Sequence, residues 1–257
     1  MISGSAATPS GAGSQMGQEV LLTSQQVWFF RHNGFLRLPC RLGQDQVEYL
    51  KDRIYQHIRD GIPPLRADES GRVVRLSRFI DRDPAFLDIF STPQITRSLE
   101  SLLGPNIVLL GNRHNHATIN RPGIGSHRLH RDVLQWSRTI ISVMAFLEDA
   151  SYADGCTQII PGSHLLPFVG TPNNGGCWMD EHQIFADLMD QAVPVPMTEG
   201  SLLAFDGVVF HGAGVNTRDS DRLAVTLAYR SVDELSGQGE GDEVLVRGQY
   251  LYRGGHP

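Results

Sequence analysis

With 257 residues, 40% of them hydrophobic, the chain can bury one sizeable core, and a β-rich barrel or sandwich of this length forms as one unit. The formal charge of −6 and the absence of a basic tract argue against a nucleic-acid groove or an anionic-membrane surface, and no apolar run nears the ~20 residues of a membrane span. Cys40, Cys156 and Cys177 lack CxxC spacing, and the N-terminus lacks a signal peptide's basic start and apolar core, so no disulfide framework is expected and a cytoplasmic location fits.

Residues 1–18, rich in Gly, Ser and Ala, read as a disordered tail ahead of a single domain over 19–257. A Ser or Thr at 23–24 can cap a short helix over Gln25–Asn33, which Gly34 stops. Phe35–Pro39 reads as a strand. Gln44–Asp60 is predicted as an amphipathic helix, with Val47, Leu50, Ile54 and Ile58 on one face. Arg72–Phe79 alternates like a strand, and two helical pieces, Pro84–Phe90 and Thr92–Leu103, end at Gly104-Pro105.

From Asn106 the chain changes to short β-branched runs punctuated by Gly, Pro, Asn and Asp. Strands are predicted at 106–111, 113–120, 127–132, 138–147, 156–160, 193–196, 200–205, 208–211, 222–231 and 244–252. That spacing predicts a mainly β fold with flanking helices, an antiparallel double-sheet barrel rather than βαβ units. Residues 163–192 lack a regular pattern and are long enough to suggest a functional lid. The acidic, Gly-rich 233–243 reads as a solvated loop.

The chemistry concentrates at His130-Arg131-Asp132. On a strand, residues two apart share a face, so His130 and Asp132 reach one ion while Arg131 points away. His211, ending the apolar run Val208-Val209-Phe210 beside Gly212, Ala213 and Gly214, can supply a second imidazole. Two histidines and a carboxylate with an open face suit non-haem Fe(II). Of the ten histidines, His32, His57, His114, His164, His182 and His256 receive surface or structural readings, and His127 lies on the opposite strand face from His130. Arg222 opens a strand with a bulky face (Leu223, Val225, Leu227, Tyr229) and a small-residue face (Ala224, Thr226, Ala228) that it shares. A guanidinium there can grip a carboxylate with two parallel hydrogen bonds, or form a surface ion pair with Asp219 or Asp221.

In order, His130 and Asp132, the run Asp154-Gly155-Cys156-Thr157 to Pro161-Gly162-Ser163-His164, Glu199-Gly200-Ser201-Leu202, and His211 with Arg222 eleven residues later resemble the phytanoyl-CoA dioxygenase family of Fe(II)/2-oxoglutarate oxygenases. The entry module Leu22–Pro39, containing Asn33-Gly34-Phe35, is similar too, so the resemblance spans about residues 20–232. It implies a double-stranded β-helix of the jelly-roll or cupin type. It also implies iron on His130, Asp132 and His211, with no catalytic side chain beyond these ligands. Arg222 would pair with the distal carboxylate of 2-oxoglutarate, Arg75 would help hold it, and Met144 takes a position that is Trp in some members. His116 and Thr118 would hydrogen-bond the carboxylate at the metal. Thr157 replaces a Leu of the pattern, and Ala213 a Ser of some members; neither departure touches the ligands. Halogenating relatives carry Ala or Gly in place of the carboxylate, so Asp132 favours hydroxylation or oxidative cyclisation.

The expected partners are dioxygen and a small-molecule substrate, without nucleic acid or membrane. Trp136 and Trp178 are the candidate substrate contacts, and relatives of this size point to natural-product or sugar-containing intermediates of antibiotic biosynthesis. No basic cluster suits the phosphates of coenzyme A. Two alternatives stay open: a non-catalytic barrel that binds metal or sugar, and a cupin-like metalloprotein using no co-substrate.

Overall fold

The computed structural model describes residues 20–123, 128–132, 140–166, 177–181, 183–234 and 242–250. In chain order these form α1 (Ser24–Asn33), β1 (Phe35–Arg41), α2 (Gln44–Arg59), β2 (Leu65–Ala67), β3 (Val73–Ser77), α3 (Pro84–Phe90), α4 (Pro93–Leu103), β4 (Ile107–Leu110) and β5 (His116–Asn120). Then follow β6 (His130–Arg131), β7 (Ile140–Phe146), β8 (Thr157–Ile159), β9 (Cys177–Trp178), β10 (Val193–Val195), β11 (Ser201–Asp206), β12 (His211–Ala213), β13 (Arg222–Ser231) and β14 (Glu243–Arg247). The tail 1–18 lies outside the described residues. Among the described residues, no helix is long and apolar enough to cross a membrane.

Local chemistry fixes the entry module. Thr23 accepts from the Gln26 N–H while the Gln26 side chain returns to the Thr23 N–H, a reciprocal cap for α1. Gly34 ends the helix at φ 79°, a conformation that favours glycine, and a Cβ there would lie 2.6 Å from His164 Nδ1.

Two sheets face each other. The larger runs β1-β11-β7-β13-β5-β3-β2, with β4 pairing both β13 and β14; the smaller runs β10-β8-β12-β6-β9. The long strand β13 is buried on both faces. Leu223, Val225, Leu227 and Tyr229 join a core with Leu50 and Ile54 of α2, Phe86 and Phe90 of α3, and Leu99 of α4. Leu50 and Ile54 are fully buried, each contributing about 1.5–3 kcal/mol from the area removed from water. The opposite face of the large sheet meets the small one through Phe146, Ile159, Leu203, Phe205, Val209 and Ala224. This is the double-stranded β-helix of the cupin jelly-roll type.

Several expected boundaries move. His211 opens β12 instead of ending a strand, because Val208–Phe210 turn: the Val208 N–H donates to the Asp206 carboxylate and the Val209 N–H to the Asp206 carbonyl. β6 is only two residues long, while β5 begins at His116 because 111–115 form an irregular turn. β14 spans 243–247, not 244–252, and the three-residue β2, too short to show alternation, pairs with β3. The described parts of 163–192 are not patternless. They hold β9 and 3₁₀ turns at Ser163–Leu165, Met179–Glu181 and Gln183–Gln191. Phe185 and Met179 pack with Ile160 and Phe210, giving the small sheet a second, minor core. Residues 167–176 and 182 lie outside the described set.

Candidate active site

β6 and β12 run antiparallel with His130 opposite His211, their ring centroids 4.6 Å apart. Each Nδ1 faces a main-chain carbonyl, Arg128 O at 3.0 Å from His130 and Val209 O at 3.1 Å from His211. A carbonyl only accepts, so both protons sit on Nδ1 and both Nε2 lone pairs point inward. The Asp132 N–H donates to the Gly207 carbonyl at 2.9 Å, fixing the residue that follows β6. Its Oδ1 lies 3.4 Å from His130 Nε2 and 3.5 Å from His211 Nε2, while Oδ2 accepts from Ser142 Oγ at 3.2 Å. Candidate donor atoms of the three residues all fall within 4.8 Å of one another, and the 3.4 and 3.5 Å separations of Oδ1 from the two Nε2 atoms are those of donors about 2 Å from a shared ion.

The electrostatics suit a cation. Burial opposes charge on Asp132, but His211, His114 and His130 outweigh it and hold the carboxyl well below the usual range. Burial pushes His211 down to about 4 against the pull of Asp132, leaving its ring neutral. At His130 burial is overcome by Asp132 and the Arg128 carbonyl, so its value rises.

A third imidazole faces the same carboxylate. His114 Nε2 lies 3.6 Å from Asp132 Oδ1, from a backbone at φ 42° that non-glycine residues rarely adopt. The sequence gives only a weak signal for this residue: a histidine in an Asn-Arg-His-Asn turn two positions before a strand that carries candidate site residues.

On the large sheet, β13, β5 and β3 bring a set of polar side chains into register. Arg222 pairs with Asn120, Ala224 with Thr118, Thr226 with His116, and Arg75 with Thr118. Arg222 is 5% exposed, and its Nε and Nη1 have no hydrogen-bond partner among the described residues. Neither expected alternative partner, Asp219 or Asp221, pairs with Arg222 among the described residues, and Asp221 binds Arg121 at 2.7 Å instead. Burial lowers Arg222 to about 10, so it remains a cation at neutral pH. Asn120 Oδ1 and Arg75 Nε are likewise buried without a partner. Arg75 Nη2 donates to His116 Nδ1 at 2.9 Å, placing the His116 proton on Nε2; burial, then Arg75 and His114, keep that ring neutral. Orphaned buried N–H groups around a cation are costly unless an anion completes them. A dicarboxylate reaching from the triad to Arg222 fits this demand.

Met144, opposite Thr226 and Leu203, takes a hydroxyl contact from Thr157 at 3.7 Å on its sulfur. At the mouth, Trp178 pairs in register with His130, their rings 5.2 Å apart, and the Arg128 guanidinium carbon sits 4.8 Å from the indole centroid. Arg128 also pairs with Asp180. Trp136 and His127 lie outside the described residues.

A jelly-roll barrel with a two-histidine, one-carboxylate cluster and a buried arginine without a hydrogen-bond partner on its Nε and Nη1 is the frame of a 2-oxoglutarate-dependent non-haem iron oxygenase. The chain belongs to the phytanoyl-CoA dioxygenase (PhyH) family, matched over residues 30–224. The peroxisomal phytanoyl-CoA dioxygenase of Mus musculus is 24% identical over 238 residues, covering 83% of this chain and 70% of that protein. Among solved structures, EctD from S. alaskensis with 2-oxoglutarate and 5-hydroxyectoine superposes with TM-score 0.70 at 17% identity, covering 95% of this chain and 88% of that one. The epimerase SnoN in complex with Fe3+, alpha ketoglutarate and nogalamycin RO gives TM-score 0.68 at 19% identity, covering 89% and 92%.

Proposed function

We propose that His130, Asp132 and His211 hold the iron, that Arg222 grips the distal carboxylate of 2-oxoglutarate, and that the prime substrate is a small natural-product or sugar-containing intermediate. The observation that carries the reading is the pair of orphaned N–H groups on buried Arg222, together with a carboxylate ringed by imidazoles. When bound, iron and 2-oxoglutarate supply the oxidation: with dioxygen, the co-substrate is decarboxylated to succinate and a substrate C–H bond is oxidised.

The chain's own residues prepare that chemistry. The two Nδ1–H bonds fix the tautomer that leaves Nε2 free, and Ser142 occupies Oδ2 so that Oδ1 faces the ion. Arg222, Arg75, Asn120, His116 and Thr118 orient the co-substrate, and the apolar walls Phe146, Phe205 and Ala224 exclude water. Trp178, beside His130 and under the Arg128 cation, offers a flat platform for a sugar ring or an aromatic ring at the barrel mouth. A retained Asp132 leaves no ligand position for halide and favours hydroxylation or oxidative ring closure. SnoN, whose structure holds nogalamycin RO, supports the substrate class.

The test is anaerobic addition of 2-oxoglutarate to the Fe(II)-loaded protein. A metal-to-ligand charge-transfer band is expected in the wild type and absent in Asp132→Ala. Wild-type protein that binds iron without developing the band overturns the co-substrate assignment. Succinate release with glycosylated aromatic natural products, and none with acyl-CoA thioesters, supports the substrate class; the reverse pattern overturns it.

A further inference from the structure

Resting on the metal assignment above, the geometry points to Arg131 as a positioning residue for the iron centre, acting from the far side of the sheet. The need for such a residue lies in the shortness of the strand. β6 has two residues, and its pairing with β12 is the single register pair His130–His211. One antiparallel pair cannot by itself fix two ligands to the tolerance that a metal requires.

Arg131, between His130 and Asp132 on the chain, turns its guanidinium to Ser163, Leu166 and Phe210 instead of to the cluster and is 2% exposed. Its Nη2 donates to the Ser163 carbonyl at 2.8 Å and to the Leu166 carbonyl at 3.2 Å. Its guanidinium carbon lies 4.4 Å from the centroid of Phe210 and 5.6 Å from that of Phe185. Phe210 immediately precedes His211, so the Arg131 guanidinium rests on the residue adjoining the other ligand. The same turn reaches that strand directly: the Phe210 N–H donates to Ser163 Oγ at 2.8 Å, and Ser163 is 1% exposed. The Ile160 N–H donates to the Phe210 carbonyl at 2.9 Å, closing the frame. Ser163 thus accepts from β6 through its carbonyl and from Phe210 through its hydroxyl. The Pro161-Gly162-Ser163-His164 segment becomes a bracket that locks His130 and His211 to each other, and Arg131 is the arm that reaches it.

The experiment measures metal binding without turnover. Fe(II) affinity, and the ligand-field bands of the Co(II)-loaded protein, are compared for wild type, Arg131→Met, Arg131→Lys and Ser163→Ala, well below each protein's Tm. Removing the guanidinium donors while keeping volume should weaken Fe(II) binding roughly ten- to a hundredfold and shift the Co(II) bands. Arg131→Lys, which keeps charge but loses the planar fork, should fall between. Ser163→Ala should act in the same direction, and Arg131→Met with Ser163→Ala should be less than additive, since both cut one bracket. Folded variants with wild-type affinity and bands, differing only in Tm, would reduce Arg131 to a structural role and overturn the proposal. If Arg131→Met fails to fold, Arg131→Lys and Ser163→Ala decide by the same criterion. Wild-type protein that binds no Fe(II) overturns the metal assignment itself, an outcome distinct from intact binding in the variants.

Discussion

Arg222 and His130 both project from strands, but their strands differ in kind. Arg222 opens a ten-residue strand paired with β5, β7 and β4, and its neighbours Thr118, His116 and Arg75 follow in unbroken register. His130 sits on a two-residue strand held by one pair to β12 and two to β9. The large sheet is stiffened by the main core beneath the helices, the small sheet by a minor core around Phe185 and Phe210. On the assignments proposed above, the co-substrate side is preorganised by the sheet itself, whereas the metal side leans on contacts behind its short strands.

Separate variants can break this contrast. The largest effect is expected from Asp132→Ala, which should lower Fe(II) affinity by at least roughly a hundredfold while leaving the fold intact by circular dichroism. Retained binding would mean that the carboxylate is not a ligand. Next, Arg222→Met should weaken 2-oxoglutarate by about 2–5 kcal/mol, roughly 30- to 5,000-fold, read by titrating the charge-transfer band. Fe(II) affinity in the same variant should not move; a joint loss would show that the two sides are one cooperative unit.

Acid should act on one side only. Iron competes with protons for the imidazoles, and His130 is held above its ordinary 6.5 whereas His211 lies at about 4. Fe(II) affinity should therefore fall about tenfold per pH unit below 6.5, and about a hundredfold per unit only below pH ~4, with Asp132 ionised throughout. Arg222, at about 10, keeps its charge, so 2-oxoglutarate binding to loaded protein should be flat between pH ~7 and ~9. A flat metal-binding profile between pH 4 and 6.5 would break the assignment of His130. The smallest effect belongs to Ser142→Ala, which removes the Oδ2 contact and should cost about 0.5–1.5 kcal/mol in Fe(II) affinity.

The sequence carried the parts of this design that depend on periodicity and order. The two faces of β13 were readable from alternation, and Leu223, Val225, Leu227 and Tyr229 do line the helical core. The triad residues, spaced i and i+2 with a distant His, converge as expected. His114 escaped because its approach to Asp132 depends on a left-handed turn conformation that no residue pattern announces. Alternation along the strand turns Arg131 away from His130 and Asp132, but its bracket is a contact between segments thirty-odd positions apart, legible only in three dimensions. The turns of 183–191 carry a helical signal, Ile184, Phe185, Leu188 and Met189 at i, i+1, i+4 and i+5, but only Phe185 is buried there and the segment winds as 3₁₀ turns rather than as an α-helix.

The helix stop at Gly34 has zero clearance for a methyl group: the contact it would meet is His164, whose Nε2 lies 3.0 Å from the Arg31 carbonyl and which adjoins Ser163 in the turn behind the ligand strands. The first helix is therefore not a detachable prefix to the barrel. A domain boundary drawn after Gly34, or a fusion that replaces the preceding helix, would remove a wall of the turn on which the histidine strands rest, and an alanine at this one position would press on the same wall from the other side.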